Sequence, residues 1–156
     1  MAASPKRVYW DSCCWIALIL DERIVRPDGS VENRGALCRD VVASAKRGSV
    51  EIFTSALSLI EVSKEPTGNT DPTFDKIKDF FENDYIIVVN LDRQVGELGR
   101  DFMQKGYSKL KPPDASHIAA ATIALVDEMH TFDDKLLVLD GRIDKEDGTK
   151  DPLANK

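Results

Sequence analysis

Arg7-Val-Tyr-Trp-Asp-Ser-Cys-Cys-Trp-Ile-Ala-Leu-Ile-Leu20 is the stretch on which the fold turns. Arg7 to Trp10 is a short β-prone run, Asp11-Ser12 breaks it, and Cys13 to Leu20 is apolar, so the segment reads strand, turn, helix. Ser12 is the expected N-cap of that helix. Asp11 then stands where the strand gives out, at its carboxyl end.

The same alternation continues outward. Val25 to Gly35 carries Pro27, Asp28-Gly29 and Asn33 and reads as an exposed loop. Ala36, Leu37, Val41, Val42 and Ala45 recur at helical spacing, with Gly48 as the stop. Val50 to Thr54 alternates as a strand, and Ser55 to Val62 reads as a short helix carrying Glu61. Lys64 to Thr73 is a second loop, followed by an amphipathic helix marked by Phe74, Ile77, Phe80 and Phe81. Tyr85-Ile-Ile-Val-Val89 is an unbroken apolar run, as expected of a strand buried on both faces. Leu91 to Met103 returns to helical spacing, and Gln104 to Pro113 is a loop. Asp114 closes it and opens Ala115 to Val126, whose small residues let a helix lie close to a sheet. A strand at Met129 to Thr131 ends in Phe132-Asp133-Asp134, and Leu136 to Leu139 reads as one more strand. Strands alternating with helices predict an α/β fold, a three-layer α/β/α sandwich with a mainly parallel four- or five-stranded sheet and right-handed crossovers.

At 156 residues the chain suits one core, expected over 1–140, with 141–156 a polar C-terminal tail ordered in part. A net charge of −6 argues against coating nucleic acid by bulk electrostatics, yet it leaves room for a local basic patch. No apolar run approaches a membrane span and no secretory leader opens the chain, so a cytoplasmic protein with no membrane association is expected. Cys13, Cys14 and Cys38 form neither a disulfide framework nor a zinc spacing, and read as reduced core thiols.

Ligands of parallel sheets bind beyond the carboxyl ends of the strands. Asp11 follows the first strand, Asp133 follows the fourth, Asp114 starts the helix leading into that fourth strand, and Glu61 lies on the helix after the second. A parallel sheet lets all four point into one crevice. Singly, Asp11 or Asp114 also fits a helix cap and Glu61 a solvated face. Together they suggest more, because an acid at Glu61, inside an apolar helical run, has no capping role. Carboxylates sharing a pocket repel one another unless a cation offsets their charge, and an oxygen-only donor set favours Mg²⁺ or Mn²⁺ over zinc. Such ions suit phosphodiester hydrolysis.

Val8-Tyr-Trp-Asp11-Ser12, Ser55-Ala-Leu-Ser-Leu-Ile-Glu61, Pro113-Asp114-Ala115-Ser-His-Ile-Ala-Ala-Ala and Thr131-Phe-Asp133 together resemble the successive signatures of PIN domains, in order and across nearly the whole chain. The resemblance implies a Mg²⁺- or Mn²⁺-dependent endoribonuclease, and for a compact single domain a VapC-like toxin of a toxin–antitoxin pair. It implies that Asp11, Glu61, Asp114 and Asp133 bind metal and position the attacking water, with the hydroxyls of Ser12 and Thr131 in support. It also implies an RNA substrate, a homodimer, and an antitoxin whose peptide covers the crevice. The Thr-x-Asp pattern selects Asp133 over Asp134, which is left as a cap, an outer group or an additional ligand.

Lys105, Lys109 and Lys111 precede Asp114 on a loop near the crevice mouth, where with Arg23 and Arg26 they meet phosphates or simply face solvent. Tyr107 offers a stacking face for a base. His117, three residues after Asp114, reads as a structural or outer group, and Trp10 and Trp15 read as core. Three other functions compete with the nuclease. A PIN-like module that binds RNA or protein without cleaving is discriminated by metal-dependent RNA cleavage. A phosphoryl-transfer domain is disfavoured, because Cys13 stands where a phosphatase needs a second Asp and Asn90 where a receiver needs its acceptor. A dinucleotide-binding domain lacks its G-x-G-x-x-G.

Overall fold

The computed structural model describes residues 4–64, 68–69, 71–107 and 109–139, with the backbone of the short strands at 143–144, 150–151 and 153–155. Strand β1 (Lys6–Trp10) leads into α1 (Ser12–Leu20), a hairpin of β2 (Arg23–Val25) and β3 (Val31–Asn33), and α2 (Arg34–Lys46). Then come β4 (Val50–Ser55), α3 (Leu57–Glu61), a 3₁₀ turn at Pro72–Asp75, α4 (Lys76–Phe81) and β5 (Ile86–Val89). The chain continues through α5 (Arg93–Gln104), α6 (Pro112–Ile123), β6 (Glu128–Thr131) and α7 (Asp134–Leu137), and closes with β7 (Ile143–Asp144), β8 (Lys150–Asp151) and β9 (Leu153–Asn155).

The main sheet has the order β5-β4-β1-β6-β9, every neighbouring pair parallel. This is the α/β sandwich expected. The chain builds outward from β1 through β4 to β5, then crosses back to place β6 on the other side of β1. Strand order therefore reverses between β1 and β6, and a crevice opens beyond their carboxyl ends.

Alternation along the strands divides the core in two. Val8, Trp10 and Ile52 face α1, α2 and α4, joining Cys14, Trp15, Cys38, Val42, Phe74 and Ile77. Tyr9 and Phe53 face the opposite way, into Val95, Phe102, Ile118 and the alanines of α6. Trp10 and Trp15 are fully buried, edge to face with centroids 4.9 Å apart, and burying such rings contributes on the order of 2 kcal/mol each. The small-residue face of α6 lets α5 approach: a Cβ on Gly99 would stand 3.5 Å from the Ala115 carbonyl.

Several local expectations are corrected. Asp11, not Ser12, caps α1, because its extended backbone lets the carboxylate reach the Cys13 N–H at 3.1 Å. Residues 25–35 are not all loop: Arg23–Val25 and Val31–Asn33 pair antiparallel around a turn at Asp28-Gly29, in strands too short to show a period. Asn33 then caps α2. Tyr85–Val89 supplies an edge strand, β5, of which only Ile86 is buried. Leu136 to Leu139 is not a strand, since α7 begins at Asp134 and uses Asp133 as its cap. The helix at Asp114 starts two residues earlier, with Pro112 at its first position, where a missing N–H costs nothing. The tail contributes β9 to the sheet edge and pairs β7 with β8 antiparallel, and its other residues lie outside those described. Among the described residues no helix is long and apolar enough to cross a membrane.

Candidate active site

The four acids come from separate segments, and bridging side chains link them in part: Thr131 and Lys135 connect Asp11, Asp133 and Asp114, while Glu61 contacts His117. Asp11, 2% exposed, has both oxygens engaged: Oδ1 accepts from the Cys13 N–H, and Oδ2 accepts from the Thr131 hydroxyl at 2.5 Å. That hydroxyl in turn accepts the Asp133 N–H at 3.1 Å, so Thr131, at the end of β6, ties the first acid to the last. Asp133 caps α7 through the Lys135 N–H. Asp114, on the first turn of α6, accepts the Lys111 N–H at 3.0 Å. Lys135 joins these two, its ammonium 3.7 Å from Asp114 Oδ2 and 3.8 Å from Asp133 Oδ2.

Glu61 enters from α3. Its Oε1 is 2.5 Å from His117 Nε2, and His117 Nδ1 is 2.7 Å from the Tyr9 hydroxyl, which sits two residues before Asp11. A buried polar node holds α3 in place: Thr54 Oγ1 donates to the Trp10 carbonyl and meets Trp15 Nε1 at 3.0 Å and Ser58 Oγ at 3.1 Å. One threonine at the end of β4 thereby fixes β1, α1 and α3 together. Ser55 caps the start of α3 by accepting the Leu57 N–H.

Burial raises the pKa of Asp11, against the lowering effect of the hydrogen bond from the Thr131 hydroxyl. Burial also raises the Cys13 thiol, and the charges of Asp11 and Asp133 raise it further, so it stays protonated with Sγ 3.6 Å from Asp11 Oδ2. The carboxylates offer hard oxygen donors at a desolvated edge, and a positive charge already stands between two of them. Hard oxygen donors are the chemistry that divalent cations such as Mg²⁺ take. Among the described residues no three Asp, Glu, His or Cys side chains are grouped closely enough to hold a metal ion as they stand.

Of the other residues singled out, Ser12 is half-buried at the start of α1, and Asp134 is exposed as the first residue of α7. Lys105, Lys109 and Lys111 are exposed; Lys105 lies over the Phe102 ring, while Lys111 adjoins Asp114. Arg26 pairs with Glu32 inside the hairpin. His130 is engaged by Trp10 Nε1 at 3.2 Å and by Glu128 at 2.8 Å. Sequence reasoning missed Lys135, hidden in a segment read as running into a strand. It also missed Arg34, whose guanidinium lies 4.8 Å from the centroid of Phe132, beside Asp133.

No protein-family model matches the chain, and no curated protein matches its sequence. Solved structures do match. Mycobacterium tuberculosis VapC20, a sarcin–ricin-loop-cleaving toxin, aligns over 84% of this chain and 94% of its own, with TM-score 0.63 and 15% identity. VapBC2 of Rickettsia felis, bound to a promoter DNA fragment, aligns over 96% of this chain and 98% of its own, with TM-score 0.58 and 14% identity. A toxin–antitoxin complex from Klebsiella pneumoniae aligns over 81% and 86%, with TM-score 0.53 and 17% identity. The chain has the fold of VapC toxins, the PIN-like architecture that its sequence led us to expect.

Proposed function

We propose that this chain is a divalent-metal-dependent endoribonuclease acting on RNA phosphodiester bonds, and that it serves as the VapC-like toxin of a toxin–antitoxin pair. The observation that supports this reading is the linkage of Asp11, Asp133 and Asp114, from three separated segments, through Thr131 and Lys135. Asp114 and Asp133 already share one cationic neighbour in Lys135.

In this reading the four carboxylates hold Mg²⁺ or Mn²⁺, which when bound polarises the phosphodiester and lowers the pKa of an attacking water. The protein's own groups do the rest. Thr131 fixes the orientation of the buried Asp11 carboxylate, and Ser12 lies beside it in sequence. Asp134 is available at the rim. Lys111, with Lys105 and Lys109 on the same exposed loop, meets the phosphates flanking the scissile bond. The toxin–antitoxin complexes among the structural neighbours support an antitoxin partner, and the proposal includes a homodimer acting in the cytoplasm.

The test is cleavage of a mixed RNA pool in Mn²⁺ by the wild type and by Asp114→Asn. Cleavage that disappears with chelator and with the substitution is expected, whereas equal cleavage by both proteins rejects the assignment. A second reading, an inactive binding module, draws on Lys135, whose ammonium fills the space between Asp114 and Asp133. Its signature is RNA binding without cleavage in Mn²⁺.

A further inference from the structure

We infer that Tyr9 and His117 form a buried, directional hydrogen-bond chain that positions Glu61, fixing one carboxylate oxygen so that the other is presented to the cation. The inference rests on the metal-dependent reading of the site given above. Tyr9 comes from β1, His117 from α6 and Glu61 from α3, so three elements far apart in sequence are joined by two short contacts of 2.7 and 2.5 Å.

The direction of the chain follows from what each atom can hold. An ionised Glu61 only accepts, so the proton between it and His117 belongs to Nε2. The Tyr9 phenol is fully buried, and burial, followed by the charge of Asp11, raises its pKa well above the ordinary value, so it keeps its proton. It therefore donates to Nδ1. Donation thus runs from Tyr9 to His117, and from His117 to Glu61.

This arrangement matters because α3 is only five residues long and Glu61 ends it, with its side chain 27% exposed. A carboxylate at the end of so short a helix has several rotamers open to it. His117, 3% exposed and packed edge-on to Tyr9, with ring centroids 5.8 Å apart, is held by the core. The rigid ring passes its orientation to the carboxylate. His117 is a positioning residue, since it acts through Glu61.

The sequence contains two histidines, so ¹⁵N-histidine-labelled protein gives an NMR spectrum with one competing signal set, which His130→Gln identifies. At neutral pH and without metal, His117 is expected to show a protonated Nε2 and an unprotonated Nδ1 in the wild type, and mixed tautomers in Tyr9→Phe. The second arm is Mn²⁺ titration calorimetry: His117→Leu weakens binding roughly 10–100-fold, and His117→Gln, which restores a donor near Nε2, recovers most of it. A proton on Nδ1, protons on both nitrogens, or equal Mn²⁺ affinity in His117→Leu and the wild type overturns the inference. A wild type with the expected tautomer that binds no Mn²⁺ overturns the metal reading instead, and the two failures are thereby told apart.

Discussion

Lys135 stands between Asp114 and Asp133, its Nζ within 3.8 Å of a carboxylate oxygen on each. The side chain belongs to the first turn of α7, and the acid that caps that helix is one of its two partners. An ammonium so placed offsets the repulsion between the carboxylates and competes with any divalent ion for the same oxygens.

Replacing Lys135 by Met is expected to tighten Mn²⁺ binding several-fold while lowering the stability of the cation-free protein by less than about 1 kcal/mol, as for a partly exposed pair. Calorimetric titration and chelator-treated melting curves measure the two effects. Unchanged Mn²⁺ affinity would show that the ammonium and the ion do not share a site.

Asp11 sets the pH dependence. Its folded pKa is raised by burial, so between the unfolded and folded values the folded protein holds a proton that the unfolded chain has released. The associated stability is fully present below the unfolded value and is lost as pH rises through the folded one. Asp11→Asn removes this group, and its cation-free melting temperature should fall less steeply than that of the wild type from acid to neutral pH. Parallel pH profiles for the two proteins count against a buried carboxylate with a raised pKa.

A cation bound only by the folded state stabilises it by mass action, by about 2.7 kcal/mol at a free concentration 100 times Kd. Adding Mn²⁺ to chelator-treated protein should therefore raise the melting temperature. Asp114→Asn should show a much smaller rise. A melting curve that ignores both chelator and Mn²⁺ speaks against a site formed by the fold.

Gly35 tests the joint between α1 and α2. A Cβ there would stand 2.7 Å from Asp21 Cα and 2.9 Å from its carbonyl carbon, backbone atoms that cannot rotate away. Gly35→Ala is expected to cost at least about 1–3 kcal/mol, the usual range for overpacking, and denaturant unfolding measures it. Wild-type stability in that variant would mean that the start of α2 shifts freely.

The alternation of apolar runs with turn residues made the sheet and most helices legible, because a strand's period of two and a helix's of 3.6 are written in adjacent residues. Short elements escaped: three-residue strands in the hairpin and four residues of α7 hold too few positions to show a period. Asp11 and Asp133 stood out as candidates because each follows a strand, Asp114 because it opens a helix, and Glu61 because it interrupts an apolar helical run.

Their surroundings were not legible. Tyr9 reads as one more aromatic in a strand, His117 as a polar residue on a helix, and Lys135 as a surface charge. Sequence by itself determined which residues end strands, and so which acids stand at one edge of a parallel sheet. Only the tertiary structure decided that β6 returns to the far side of β1, that Lys135 bridges two acids and that Tyr9 and His117 support a third. Those contacts span from 2 to 108 positions, and chain closure over such distances is governed by the packed core as a whole, not by any local pattern.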